Sequence, residues 1–174
     1  MRALPTYDQA RMLPQALART VTEANADANG HMNVRHYVGI FDDAEWAYYD
    51  GMGMGYAAAQ EGTGGIFMLE QHLTYRREVL VGEETSVHVR MLARTDKVLH
   101  SIAYLLNHTR HEVAAAMEGL ECWVDYDTRR ISPFPRQGAV ALDELIAEAA
   151  ALDWVPELSG ALTLAKSRPG AAAE

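Results

Sequence analysis

The sequence predicts an α+β fold in which a curved antiparallel sheet wraps one long helix. Residues 34 to 50 carry a sustained helical period, and four long strand-like segments follow between residues 66 and 128. The separators between those strands are short enough for hairpins, which makes the sheet antiparallel. At 174 residues the chain can build one core, so a single domain over 1–174 is expected, with its centre at about 17–130 and a C-terminal helix and tail over 140–174.

Residues 1 to about 15 hold two prolines and no sustained period. The first strand is expected in "ARTVTEA", residues 18 to 24, where small and β-branched residues alternate with polar ones. Val34, Tyr37, Val38, Phe41, Ala44 and Tyr48 follow the spacing of one helix face, and Trp46 and Tyr49 widen it, so this helix is wrapped on more than one side. "GMGMGYAAAQEGTGG" then breaks the period, leaves room for one short helical turn and reads as a flexible flap. The strands are expected over 66–80, 85–94, 98–109 and 112–128, and a second helix over 141–150. The Ala-rich end "SRPGAAAE" is expected to fray. A sheet with long exposed edges invites edge-to-edge pairing, which predicts a homodimer.

The net charge is -9 with 22% charged residues, an acidic surface that repels nucleic acid. Cys122 is the only cysteine, which rules out an intrachain disulfide and a cysteine metal cluster and suits a reducing cytoplasm. No window reaches the roughly 18 apolar residues of a membrane helix. His31 and His36 are five residues apart and point different ways on a helix, so no metal is expected.

Chemistry concentrates in "DANGHMN", residues 27 to 33. Gly30 and Asn33 suit a turn and a helix N-cap, but Asp27, Asn29 and His31 are not required for either. A helix start offers unpaired N–H groups and the positive end of a dipole, which can hold a developing oxyanion. Beside it Asp27 can attack an acyl carbonyl or activate water, with Asn29 and His31 positioning the participants.

"DANGHMNVRHY" resembles the D-x-N-x-H-x-N…Y signature of the hot-dog-fold thioesterases, the superfamily of 4-hydroxybenzoyl-CoA thioesterase and the plant acyl-ACP thioesterases. The likeness runs from about residue 17 to 128. "YRREVLVGE" is similar to a second segment of the acyl-ACP enzymes, in which Glu78 stands at a site glutamate and Val79 replaces a site cysteine. The wider run "FMLEQHLTYRREVLVGE…RTDKVLH…RRISPFP" is similar to a betainyl-CoA thioesterase-like group. The resemblance implies hydrolysis of an acyl-CoA, without a cofactor beyond the coenzyme A of the substrate, by a dimer that could pair into tetramers. It implies catalytic roles for Asp27, Asn29, His31 and Glu78, and an oxyanion donor near Val34.

Asn33, Val34, Tyr37, His72 and Arg76 are expected to contact substrate. Glu70, His72, Thr74, Arg76 and Glu78 share one strand face by the period of two and form a candidate polar wall. Arg76, Arg77, Lys97, Arg129 and Arg130 are candidates for the phosphates of coenzyme A. Tyr37, Phe41, Trp46, Tyr48, Tyr49 and Phe67 read as core, or in part as a cage for a quaternary ammonium group. Two alternatives stand beside hydrolysis: a hot-dog enoyl-CoA hydratase and a non-catalytic acyl-CoA-binding module.

Overall fold

A computed structural model describes residues 4–164. The elements run α1 (Tyr7–Arg11), β1 (Gln15–Thr20), α2 (Val34–Asp50), α3 (Tyr56–Gln60), β2 (Gly64–Tyr75), β3 (Glu84–Arg94), β4 (Val98–Asn107), β5 (Glu112–Asp125), β6 (Arg130–Ser132) and α4 (Arg136–Ala150). All strand pairs are antiparallel, in the order β1-β3-β4-β5-β2, with β6 pairing the end of β5. The tail from residue 165 onward lies outside the described residues.

The long helix takes the predicted span because its periodic face is continuous and its ends are marked. Tyr37, Ile40, Phe41, Ala44 and Tyr49 are buried, Asn33 caps the start and Gly51 follows the end. These side chains pack against Val87, Val89, Met91, Leu99, Leu105 and Met117 of the sheet, and α4 adds Leu142 to the same core. Both sides of the sheet are covered. On the opposite face α1 and the segment after α4 enclose Ile102, Tyr104, Leu106 and Ala116.

Several boundaries differ from the sequence expectation. The first strand is Gln15–Thr20 rather than 18–24, and Glu23–Asn25 form a 3-10 turn. The second strand ends at Tyr75, not at residue 80, because the Arg76 and Arg77 N–H groups both turn to the Ala114 carbonyl, at 2.9 and 3.1 Å. The second helix starts at Arg136, directly after Pro135. The glycine-rich segment is no loose flap: Met52, Met54 and Ala58 are buried in the main core. Gly138 of α4 leaves the space that Met54 fills, since an added Cβ would lie 2.3 Å from the Met54 sulfur.

Candidate active site

The polar stretch folds into a tight loop that delivers its groups to the start of α2. Gly30 has φ +80, which glycine adopts freely, and its N–H donates to the Asp27 carbonyl at 2.9 Å. The Asp27 N–H donates to the His31 carbonyl at 3.2 Å, closing the loop on itself. Met32 N–H donates to the Val79 carbonyl at 2.8 Å, which fastens the loop to the segment after β2.

Within this loop the Asp27 carboxylate is held on both oxygens. The Asn29 N–H donates to Oδ1 at 2.8 Å and the Asn33 amide donates to Oδ2 at 2.6 Å. The Asn29 backbone N–H, then the Asn33 side chain, with smaller help from His31 and the Asn29 side chain, hold the carboxyl below the usual aspartate range. Asp27 therefore stays ionised throughout neutral pH, as a nucleophile or a water-activating base requires.

Asn33 links this carboxylate to the helix. Its amide nitrogen grips Asp27 while its Oδ1 accepts from Arg35 N–H at 3.2 Å and its carbonyl accepts from His36 N–H at 2.9 Å. Val34 N–H, the first of the helix, has no acceptor among the described residues, and the Val34 side chain is exposed. A free donor at the positive end of a 17-residue helix is suited to an anionic oxygen. Asn33→Ala is expected to cost about 1 kcal/mol of stability through the lost cap and to lower kcat far more than it changes KM. Thermal melts and steady-state kinetics read the two effects separately.

The donor opens on a cleft of about 340 Å³ lined by His31, Met32, Val34, Tyr37, Tyr75, Arg76, Arg77 and Glu78. Asp27 and Asn29 belong to the loop beside it and are not among the lining residues. His31 Nδ1 faces the Met32 carbonyl at 3.2 Å, so Nδ1 carries the hydrogen and a neutral ring keeps its Nε2 lone pair available. Tyr37 and Tyr75 meet edge to face, their ring centroids 5.1 Å apart.

Glu78 reaches this cleft by a different route from the one the strand period suggests. The chain has left the ladder by then, and Glu78 lies with Arg110 Nη1 at 3.8 Å. Arg110 in turn is fixed by Glu83, which takes its Nε at 2.5 Å, the Leu80 N–H at 2.7 Å and the Asn107 amide at 2.7 Å. Burial pushes the Glu83 carboxyl up, but the hydrogen bonds from Leu80, Arg110 and Asn107 outweigh it and leave the group below its usual value. The loop that carries Glu78 is therefore pinned at its base.

The continuous polar wall does not form. His72, Thr74 and Arg76 line a small space on the opposite side with Glu118, Ile102 and Leu4, and of these three only Arg76 also reaches the cleft. His72 is thus not brought to the cleft. Met32 and Tyr75 are the cleft residues that the sequence reading passed over, although Tyr75 opens the "YRRE" segment. The proposed aromatic cage is not assembled either: Phe41 and Tyr49 are core, and Trp46 stacks on Tyr56 at 4.5 Å.

A second group of carboxyls lies away from the cleft. Glu121 is fully buried, taking the Ser101 hydroxyl at 2.6 Å on one oxygen and the Tyr49 hydroxyl on the other. Burial first, then the charges of Glu121 and Asp42, push Glu45 up to about 10. Burial also raises Glu121, against the two hydroxyl donors. Cys122 next to it is buried and its thiol raised by burial, which fits packing. Among the described residues no group of three or more His, Cys, Asp or Glu could hold a metal, and no helix is long and apolar enough to cross a membrane.

The site thus sets an ionised aspartate beside a helix start with a free N–H, on a sheet curled around that helix. Residues 21–157 match the family model of the thioesterase-like superfamily, and the chain belongs to that family. It is similar to SAV2348 of Staphylococcus aureus, solved in complex with CoA, at 23% identity and a TM-score of 0.76 over 88% of this chain and 96% of that one. A candidate thioesterase of Pseudomonas putida KT2440 is similar at 26% identity and a TM-score of 0.73, over 89% of this chain and 98% of that one. A curated relative is the L-carnitine dehydrogenase/betainyl-CoA thioesterase of Rhizobium meliloti (strain 1021), 24% identical over 133 residues. That match covers 76% of this chain and 27% of the relative, so the chain spans about a quarter of that protein.

Proposed function

We propose that the protein hydrolyses an acyl-CoA thioester to the free acid and coenzyme A. The observation that carries this reading is the unpaired Val34 N–H at the start of α2, next in the chain to Asn33, whose amide holds the doubly bonded Asp27 carboxylate. The thioester carbonyl lies at this helix start, where the N–H meets the oxygen as it becomes an oxyanion. Asp27 attacks the carbonyl carbon or takes a proton from the attacking water. His31 and Asn29 position the participants, and Glu78 handles a proton or orients the acyl group from the other side of the cleft. Family membership and the CoA bound to SAV2348 support the same substrate class.

The acyl group is short or polar. Tyr37 and Tyr75 give the cleft aromatic edges and Glu78 adds a carboxylate, a setting that suits a quaternary ammonium end as well as an aromatic ring. The betainyl-CoA activity named for the relative favours the first. The working form is a homodimer in the cytoplasm, its copies joined through β2. That strand has a neighbour on one side only and exposes Phe67, Leu69 and Tyr75.

Thiol release from acetyl-, betainyl-, benzoyl- and palmitoyl-CoA tests the reading. Turnover is expected with short or aromatic thioesters, and with palmitoyl-CoA at least ten-fold below the best of them, a difference of about 1.4 kcal/mol. No thiol release from any of the four would overturn it.

A further inference from the structure

Beyond the catalytic cleft, on the far side of Arg76 and Arg77, lies a second and larger hollow. It holds about 450 Å³ and is lined by Leu4, Pro5, Tyr7, Arg76, Arg77, His111, Glu112 and Val113. The two arginines border both spaces, so the hollows adjoin at that point. We propose that this trough seats the adenosine 3′-phosphate 5′-diphosphate end of coenzyme A, with Arg77 and His111 on the phosphates and the Tyr7 ring beside the adenine. The proposal rests on the acyl-CoA reading above and extends it from the thioester to the far end of the carrier.

The chemistry of the walls supports a nucleotide. Two guanidinium groups and an imidazole gather here in a chain whose net charge is -9. Arg77 is held by a pair with Glu112 at 3.2 Å and by a hydrogen bond from its Nη1 to the Arg76 carbonyl at 3.3 Å, its own side chain 64% accessible. Such a pair contributes little, and a phosphate of higher charge can take the guanidinium fork in two-point fashion. Tyr7 offers a flat apolar ring against which a base can lie. The Tyr7 and His111 rings meet edge to face at a centroid distance of 5.2 Å.

That wall is also built to stay in place. A carbonyl can only accept, so His88 donates from Nδ1 to the Leu13 carbonyl at 2.8 Å, and its neutral Nε2 accepts the Ser86 hydroxyl at 2.9 Å. Ser86 then accepts from His108 Nε2 at 2.7 Å, and His108 Nδ1 accepts the Tyr7 hydroxyl at 2.6 Å. The chain of bonds ties α1 at Tyr7, and the chain at Leu13 two residues beyond it, to β3 and to His108 just after β4. A five-residue helix with one buried side chain, Ala10, gains a fixed position from it.

The trough also decides the carrier. A nucleotide grip gives coenzyme A an advantage that the phosphopantetheine arm of an acyl carrier protein lacks.

The test uses the acyl group that turns over best, offered as the CoA, pantetheine and acyl carrier protein thioester, together with calorimetric titration of adenosine 3′,5′-bisphosphate. His111→Gly removes the imidazole at φ +54, where glycine is at ease, so folding is not at stake. Arg77→Gln is the second variant. Each is expected to raise KM for the acyl-CoA about ten-fold, the loss of one charge-assisted contact; His111, which borders only the trough, should leave kcat and the pantetheine thioester unchanged when replaced. Bisphosphate binding should weaken in parallel.

Equal use of CoA and pantetheine thioesters, preference for the carrier protein, or a His111→Gly variant that slows every thioester alike would overturn the proposal. If the wild type cleaves no thioester, the hydrolase reading falls while the titration still judges the trough. Bisphosphate binding weakened by both variants supports it, and no binding overturns it.

Discussion

Asp27→Asn is expected to lower kcat/KM by at least 100-fold, about 2.7 kcal/mol of transition-state stabilisation. The amide keeps an oxygen for the Asn29 N–H, so the turn persists, but it carries no charge and neither attacks a carbonyl nor takes a proton from water. It also sets an NH2 against the Asn33 amide, which now donates at 2.6 Å. Because the loop is partly exposed, that mismatch should cost only about 1 kcal/mol. A melt near the wild-type temperature with activity largely gone is the expected pair of results. A loss under ten-fold would reduce Asp27 to the structural part it also plays, an acid that closes a turn and braces a helix cap.

The pH profile follows from the same contacts. The pKa of Asp27 is depressed, so its contribution to activity and stability is present above the ordinary aspartate range, near pH 4, and is lost only as pH falls below it. An acid limb in kcat/KM between pH 5 and 8 would belong to another group.

The largest effect on stability is expected at Glu121. Glu121→Ala removes a fully buried side chain and strands the hydroxyls of Tyr49 and Ser101, a loss of about 3 to 5 kcal/mol from cavity and orphaned donors together. Its neighbour Glu45 sets a pH dependence of the opposite sign to that of Asp27. The folded pKa of Glu45 is raised to about 10, so in the native state the group stays protonated while in the unfolded chain it ionises near its usual value. Its contribution is therefore full below about pH 4.5 and declines as pH rises toward 10, by up to about 1.4 kcal/mol per pH unit. Glu45→Gln, neutral at every pH, should be more stable than wild type at pH 9 and should flatten the melting temperature between pH 6 and 9. Parallel melting curves for the two proteins across that range would show that Glu45 ionises normally.

What the sequence made legible was local. The α2 helix could be read because its period runs unbroken for 17 residues and Asn33 stands at its cap. The Asp27 to Asn33 loop could be read because every bond that shapes the carboxylate is made within seven residues. A helix as short as α1 cannot display a period, and β1, exposed at four of its six residues, shows no alternation to mark its ends.

Nonlocal contacts account for the rest. Nothing in "YRRE" announces that Arg76 and Arg77 will share the Ala114 carbonyl, yet that contact ends β2, sends Glu78 to the cleft and leaves His72 on the opposite side. The Tyr49 to Glu121 contact joins a helix to a strand 72 residues away, and neither residue alone suggests the other.

The central claim is that the thioester carbonyl sits at the start of α2 with Asp27 beside it. A crystal structure with an acyl-CoA ketone analogue, whose methylene replaces the thioester sulfur, tests this most directly. The account predicts the ketone oxygen about 2.7 to 3.1 Å from Val34 N–H and an Asp27 oxygen, or a water bound to it, facing the carbonyl carbon. A carbonyl seated elsewhere, with Val34 N–H facing solvent and Asp27 still bound only to Asn29 and Asn33, would contradict it.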